Sequence, residues 1–301
     1  MAEMKGNEKN SSKRNGSGPD FEAMRRLSAD IRIETIRALA EAGFGHIGGS
    51  ASIADVLGVL YGGLMSVDPA NPAWEERDWL VLSKGHCGPA LYAALALRGF
   101  FPMDWLKTVN RGGTRLPSHA DRRRTPGVDM TTGSLGQGIS AAVGIALGNR
   151  LKGLENYTYC IVGDGELNEG QVWEAAQTAN SFRLDRFILF VDWNKKQLDG
   201  ELDFVNPPLD MAGKFEAFGF QAQAVKGYDV QAIYEAVMRA KACIDKPSVI
   251  ILDTLKGLGV SFAERESFNH YMVITEEMAR EGIEEIERRY ASHIYPGGEA
   301  I

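Results

Sequence analysis

The chain has 301 residues, 44% hydrophobic and 24% charged, the balance of a globular protein with a large apolar core and not of a fibrous or disordered one. Its 33 basic and 40 acidic residues leave a formal charge of -7, which argues against a sequence-independent grip on nucleic-acid phosphates, since that mode depends on clustered Lys and Arg. Cys87, Cys160 and Cys243 are too few and too widely spaced for a disulfide framework or a cysteine metal site. No run approaches the ~20 apolar residues of a membrane span and the N-terminus shows no apolar signal core, so a cytoplasmic protein with neither nucleic acid nor membrane as partner is expected.

Residues 1–19 are rich in Lys, Asn, Ser and Gly with almost no apolar side chains, which predicts a disordered N-terminal tail. Residues 20–301 are expected to form a single α/β domain. From Phe21, the residues Met24, Leu27, Ile31, Ile36 and Leu39 recur at about helical spacing and stop before Gly43, which predicts a helix with its C-terminus there. A glycine-bracketed loop, Gly45-His46-Ile47-Gly48-Gly49, leads to a buried helix over Ile53–Met65. A short strand at Trp79–Leu82 then feeds the loop Ser83-Lys84-Gly85-His86.

Three further runs, Tyr157–Val162, Phe187–Val191 and Val249–Leu252, are short, apolar and bounded by loops, as parallel strands covered on both faces should be. Helical stretches separate them, so the expected fold is a doubly wound, mostly parallel sheet with helices on both faces. Ligands of such sheets bind where loops leave the carboxyl ends of the strands. His86, Asp164, Asn194 and the segment after Leu252 each come just past a predicted strand, although no strand order follows from the sequence.

The strongest chemical signal is Gly163-Asp164-Gly165-Glu166-Leu167-Asn168-Glu169-Gly170, between an apolar strand and a helix, with Asn194 thirty positions after Asp164 at the next strand end. A carboxylate and an amide oxygen on neighbouring strand ends supply the hard ligands that Mg²⁺ or Ca²⁺ prefers. The glycines allow the backbone, Gly165 included, to approach phosphates and donate N–H groups near a helix N-terminus. This arrangement resembles the thiamine-diphosphate motif shared by transketolases, pyruvate dehydrogenases and related enzymes.

From about Met24 to the region of His270 the resemblance narrows to the N-terminal portion of transketolase. It is carried by Gly45-His46-Ile47-Gly48-Gly49-Ser50, Ser83-Lys84-Gly85-His86, Pro117-Ser118-His119, Thr131-Thr132-Gly133-Ser134-Leu135-Gly136-Gln137-Gly138 and the metal motif. The resemblance implies thiamine diphosphate and a divalent cation, Mg²⁺ or Ca²⁺, as cofactors. It further implies that His46 and His119 face the sugar donor, and that His86 and His270 lie near the cofactor diphosphate and the reacting carbon. His46, His119 and His270 become the catalytic candidates.

By the same resemblance, Gly133, Ser134 and Leu135 pack on the pyrimidine ring of the cofactor and Glu169 sits at a subunit interface, coupling paired sites. Asp164, Asn194 and the backbone carbonyl of Lys196 hold the metal. The surroundings of His270, Ser267-Phe268-Asn269-His270-Tyr271, depart from the family's usual glycine-rich context, and His293 lies outside the matched segments. Arg122-Arg123-Arg124 reads as a solvated loop.

In the family a glutamate on a separate pyrimidine-binding domain activates the cofactor, and the present chain stops soon after residue 300. The expectation is a split transketolase that moves a two-carbon ketol unit from a ketose to an aldose. It would be active only with a second subunit carrying that domain, in a heterotetramer of two pairs acting on sugar phosphates. The alternatives are the α-type subunit of a 2-oxoacid dehydrogenase and a non-catalytic assembly partner.

Overall fold

A computed structural model of the chain describes residues 18–294. The expected tail therefore lies outside the described residues except for its last two positions, and so does the stretch after residue 294. Five strands form one fully parallel sheet: β1 (Trp79–Leu82), β2 (Thr158–Gly163), β3 (Phe187–Trp193), β4 (Gln221–Lys226) and β5 (Ser248–Asp253), in the order β1-β2-β3-β5-β4. Strand residues alternate between two cores, as the period of two requires. Leu80, Leu82, Tyr159, Ile161, Ile188, Phe190, Ile250 and Leu252 face one side, while Val81, Cys160, Val162, Leu189, Val191, Val249 and Ile251 face the other.

The first core is covered by helices α1 (Phe21–Ala42), α3 (Ala54–Val59), α4 (Gly88–Leu97) and α7 (Val230–Ala242), after the short α2 (Ile47–Ser52). The second is covered by α5 (Gln137–Leu151) and α6 (Gly170–Ser181) with the short helix Met211–Ala217. A C-terminal helix, α8 (Glu276–Ala291), packs along α1. Helix α1 begins where Asp20 accepts a hydrogen bond from the Ala23 amide and ends at Gly43, so both of its predicted boundaries hold. A buried ion pair, Arg32 with Asp55, ties α1 to α3, and the Arg32 Nε donates to the Leu258 carbonyl at 2.9 Å.

Two local expectations need correcting. The helix expected over Ile53–Met65 is interrupted: α3 stops at Val59 and Leu60–Leu64 continues as a wider π turn that kinks at Gly63, φ 144°. The segment read as a loop around His46 is helical from Ile47 onward. The edge strand β4 has no counterpart among the predicted strands, because its sequence, QAQAVK, carries no apolar run and its residues are half-buried or exposed. Among the described residues no helix is long and apolar enough to cross a membrane.

Candidate active site

The carboxyl ends of β1, β2, β3 and β5 open on one side of the sheet, and the candidate residues gather there. At the tip of β2, the Asp164 carboxylate accepts hydrogen bonds from the Gly165 amide at 2.8 Å and the Lys195 amide at 2.5 Å. Asn194 follows β3. Its Nδ2 donates to Asp192 at 2.7 Å, an orientation that turns its Oδ1 toward the Lys196 amide at 3.2 Å. The Lys196 carbonyl accepts from Lys256 Nζ at 3.1 Å. Burial, and after it the neighbouring charge of Asp192, pushes the Asp164 carboxyl up to about 7.

A carboxyl this buried favours its proton unless a cation stands beside it. The donor set here consists of hard oxygens: a carboxylate, an amide carbonyl and a backbone carbonyl. Among the described residues no three His, Cys, Asp or Glu side chains are placed to hold a metal, so this corner is not an all-protein cage. It suits a cation such as Mg²⁺, which takes one or two protein carboxylates and fills its shell with phosphate oxygens and water.

Behind this corner lies a buried network that the sequence reading did not single out. Asp192, fully buried at the end of β3, receives Lys84 Nζ at 2.5 Å, Ser52 Oγ at 2.7 Å and Thr254 Oγ1 at 2.6 Å as well as Asn194. Burial alone would raise the Asp192 carboxyl, but the Lys84 charge and these donors outweigh it and hold the group below its usual range. Lys84 also donates to the Gly49 carbonyl at 3.0 Å, so it joins the β1 and β3 ends to α2. Lys256, only 4% exposed, lies 3.3 Å from His270 Nδ1, and burial lowers its ammonium.

The four histidines expected at the site meet in one cluster. Ring centroids of His46 stand 5.4 Å from His86, 5.6 Å from His119 and 5.2 Å from His270, and His86 and His270 are 4.7 Å apart. Two backbone contacts make this possible. Phe44–Gly45 pairs antiparallel with Met272–Val273, and the Gly48 amide donates to the Asn269 carbonyl at 3.1 Å. A methyl group on Gly48 would come within 2.3 Å of that carbonyl, so the His46 and His270 loops touch only because residue 48 has no side chain. Asn269, in the unusual segment before His270, is buried and donates to the Lys256 and Ala263 carbonyls at 2.8 Å each.

All four imidazoles are held below their ordinary range. Burial, followed by the His119 and Lys256 charges, brings His46 down to about 4; burial, with Lys256 next, brings His270 down to about 3. His86 is lowered well below its usual value by burial and Lys84, and His119 is lowered by burial. At neutral pH the cluster is therefore uncharged, and a neutral imidazole offers one donor and one acceptor. His46 Nδ1 is buried without a partner. Cys87, next to His86, is pushed up to about 11 by burial, which removes it as a thiolate nucleophile.

The remaining candidates flank this cluster. Gly133 lies beside His119, with room for a methyl group at 3.4 Å from Cδ2; Ser134 is exposed and Leu135 half-buried. Exposed Glu169 precedes α6 and packs by the Gly136 turn. That turn is held by a further unforeseen residue, buried Glu166, which accepts from Ser83 Oγ at 2.5 Å, the Gly136 amide at 2.8 Å and the Gly163 amide at 3.1 Å. His293 is elsewhere, 3.1 Å from Arg25, and Arg122, Arg123 and Arg124 are exposed as expected.

Residues 23–291 match the family model described as transketolase, thiamine diphosphate binding domain. The chain belongs to the transketolase family. It is 53% identical over 261 residues to the 6-deoxy-6-sulfo-D-fructose transketolase subunit SqwG of Clostridium sp. (strain MSTE9), covering 87% of this chain and 95% of that one. To one subunit of the apulose-4-phosphate transketolase of Actinobacillus succinogenes it is 38% identical, across 80% of this chain and 87% of the relative. The solved transketolase of Leishmania mexicana superposes with a TM-score of 0.82 at 32% identity, covering 89% of this chain but 41% of that one. The transketolase chain thus matches dedicated subunits nearly end to end, and full-length enzymes over their thiamine-diphosphate-binding part. These matches favour a transketolase subunit over the α-type subunit of a 2-oxoacid dehydrogenase.

Proposed function

We propose that this transketolase chain anchors thiamine diphosphate through a divalent cation held by Asp164, Asn194 and the Lys196 carbonyl. His86 and the buried Lys84 and Lys256 line the diphosphate end, Gly165 approaches it through its backbone, and Gly133, Ser134 and Leu135 flank the pyrimidine ring. When bound, the cofactor supplies the nucleophilic carbon and electron sink that ketose cleavage needs. The chain's own work is orientation and proton exchange. His46, His119 and His270, neutral at working pH, donate to and accept from sugar hydroxyls as their protons shift. Glu169, on the surface beside the Gly136 turn, is assigned to a subunit contact.

The observation that carries this reading is the convergence of four uncharged imidazoles with the Asp164–Asn194 corner on one side of the sheet. The described residues from 20 onward act as one domain, and the pyrimidine-binding half comes from a second subunit, in a heterotetramer of two pairs. The donor is a ketose with a terminal anionic group, phosphate or sulfonate; the similarity to subunits named for sulfofructose and for apulose phosphate supports both. Reconstitution with the second subunit, Mg²⁺ and thiamine diphosphate should yield ketol transfer from at least one such ketose, with negligible transfer by the chain alone. Full activity without the second subunit, or none from any ketose with it, would overturn the proposal.

A further inference from the structure

One aromatic side chain at the imidazole cluster is given no part in the cofactor anchoring or proton exchange proposed above. Tyr271 follows His270, and its ring stands edge-on to His46 with centroids 5.1 Å apart and 5.6 Å from Phe44. The loop that carries it is fixed on both sides: Asn269 is buried and doubly hydrogen bonded, Met272 and Val273 pair with Gly45 and Phe44, and the Ile274 amide donates to the Gly43 carbonyl at 3.0 Å. Despite this anchoring the ring is 47% exposed, beside Phe44 at 39% and Val273 at 69%. Three other imidazoles also stand against His46, and besides them Tyr271 is the one partly exposed aromatic ring seen in contact with it among the described residues. The unpartnered Nδ1 of His46 is a buried polar atom that calls for a hydrogen-bonding ligand at this spot.

We infer that Tyr271 is a specificity-determining residue, its ring packing on the carbon chain of the ketose beyond the carbonyl while His46 engages a hydroxyl. The inference rests on the transketolase reading of the site. An aromatic face offers a rigid apolar surface at low entropic cost, which suits the C–H side of a sugar whose hydroxyls turn toward the imidazoles. The ring, and not its hydroxyl, is the recognising element.

The test uses the reconstituted two-subunit complex with Tyr271→Ala and Tyr271→Phe, and a panel of ketoses differing in chain length and terminal group. For the best donor, Tyr271→Ala should raise KM about tenfold with kcat within about threefold, and the spread of kcat/KM across the panel should narrow by a similar factor. Tyr271→Phe should match the parent, and thiamine diphosphate affinity and assembly of the two subunits should be unchanged in both. An equal loss for every ketose, no loss at all, an equal effect of Tyr271→Phe, or weakened assembly would overturn the inference while leaving the transketolase reading intact. A parent complex inert toward every ketose would overturn both.

Discussion

Asp164 and Asn194 illustrate how much a single residue's surroundings add to its type. Both were legible as hard-oxygen donors from their strand-end positions, but the groups that aim them were not. Lys84 and Glu166 stood in the sequence only as members of matched motifs, and Asp192 and Lys256 carried no signal at all, since buried charged residues are rare unless paired. Their burial becomes visible only when β1, β3 and β5 bring Lys84, Asp192 and Lys256 together. The high proton affinity of Asp164, about 7, has a measurable consequence. Its proton must leave for the carboxylate to ligate a cation, so below pH 7 each unit of acidification should weaken Mg²⁺-dependent cofactor binding by about tenfold. His46 and His270, at about 4 and about 3, contribute no step in that range. Calorimetric titrations between pH 5.5 and 8 check this, and a flat profile would contradict the assignment.

At the scale of elements, apolar runs located four of the five strands to within about two residues at each end, because strands covered on both faces are continuously hydrophobic. The fifth, Gln221–Lys226, has one side at the sheet edge and so lacks that signature. The break at Gly63 was equally hidden, since the apolar pattern runs through it. Gly138 appeared in the sequence only within the Thr131–Gly138 segment, with nothing to show what it packs against. The structure supplies the partner: a methyl group on Gly138 would meet Ser83 Oγ at 2.5 Å and Cα at 2.6 Å. Gly138→Ala sets a helix-propensity gain of about 1 kcal/mol against overpacking of about 1–3 kcal/mol. The backbone of Ser83 cannot swing away like a side-chain tip, so the overlap should dominate. Urea denaturation should give a net loss, and a variant as stable as the parent would show that α5 and the β1 loop are not in tight contact.

The described residues form a doubly wound sheet whose connections deliver the loops after β1, β2, β3 and β5 to one side, and this was expected from the sequence in class though not in strand order. The unforeseen feature is that the loops are fastened to each other as well as to the sheet. Glu166 joins the Ser83, Gly136 and Gly163 segments, and Asp192 joins Ser52, Lys84, Asn194 and Thr254. On the proposed function, a site built this firmly is suited to present a cofactor to a second subunit. The proposed function stands or falls on a divalent cation at the Asp164 corner that anchors the cofactor's diphosphate. Isothermal titration of thiamine diphosphate into the reconstituted complex, with Mg²⁺ and after chelation, decides the matter when parent and Asp164→Ala forms are compared. Binding by the parent is expected only with Mg²⁺, with a loss of more than about 100-fold in a still folded Asp164→Ala complex; equal affinity in the two would contradict the proposal.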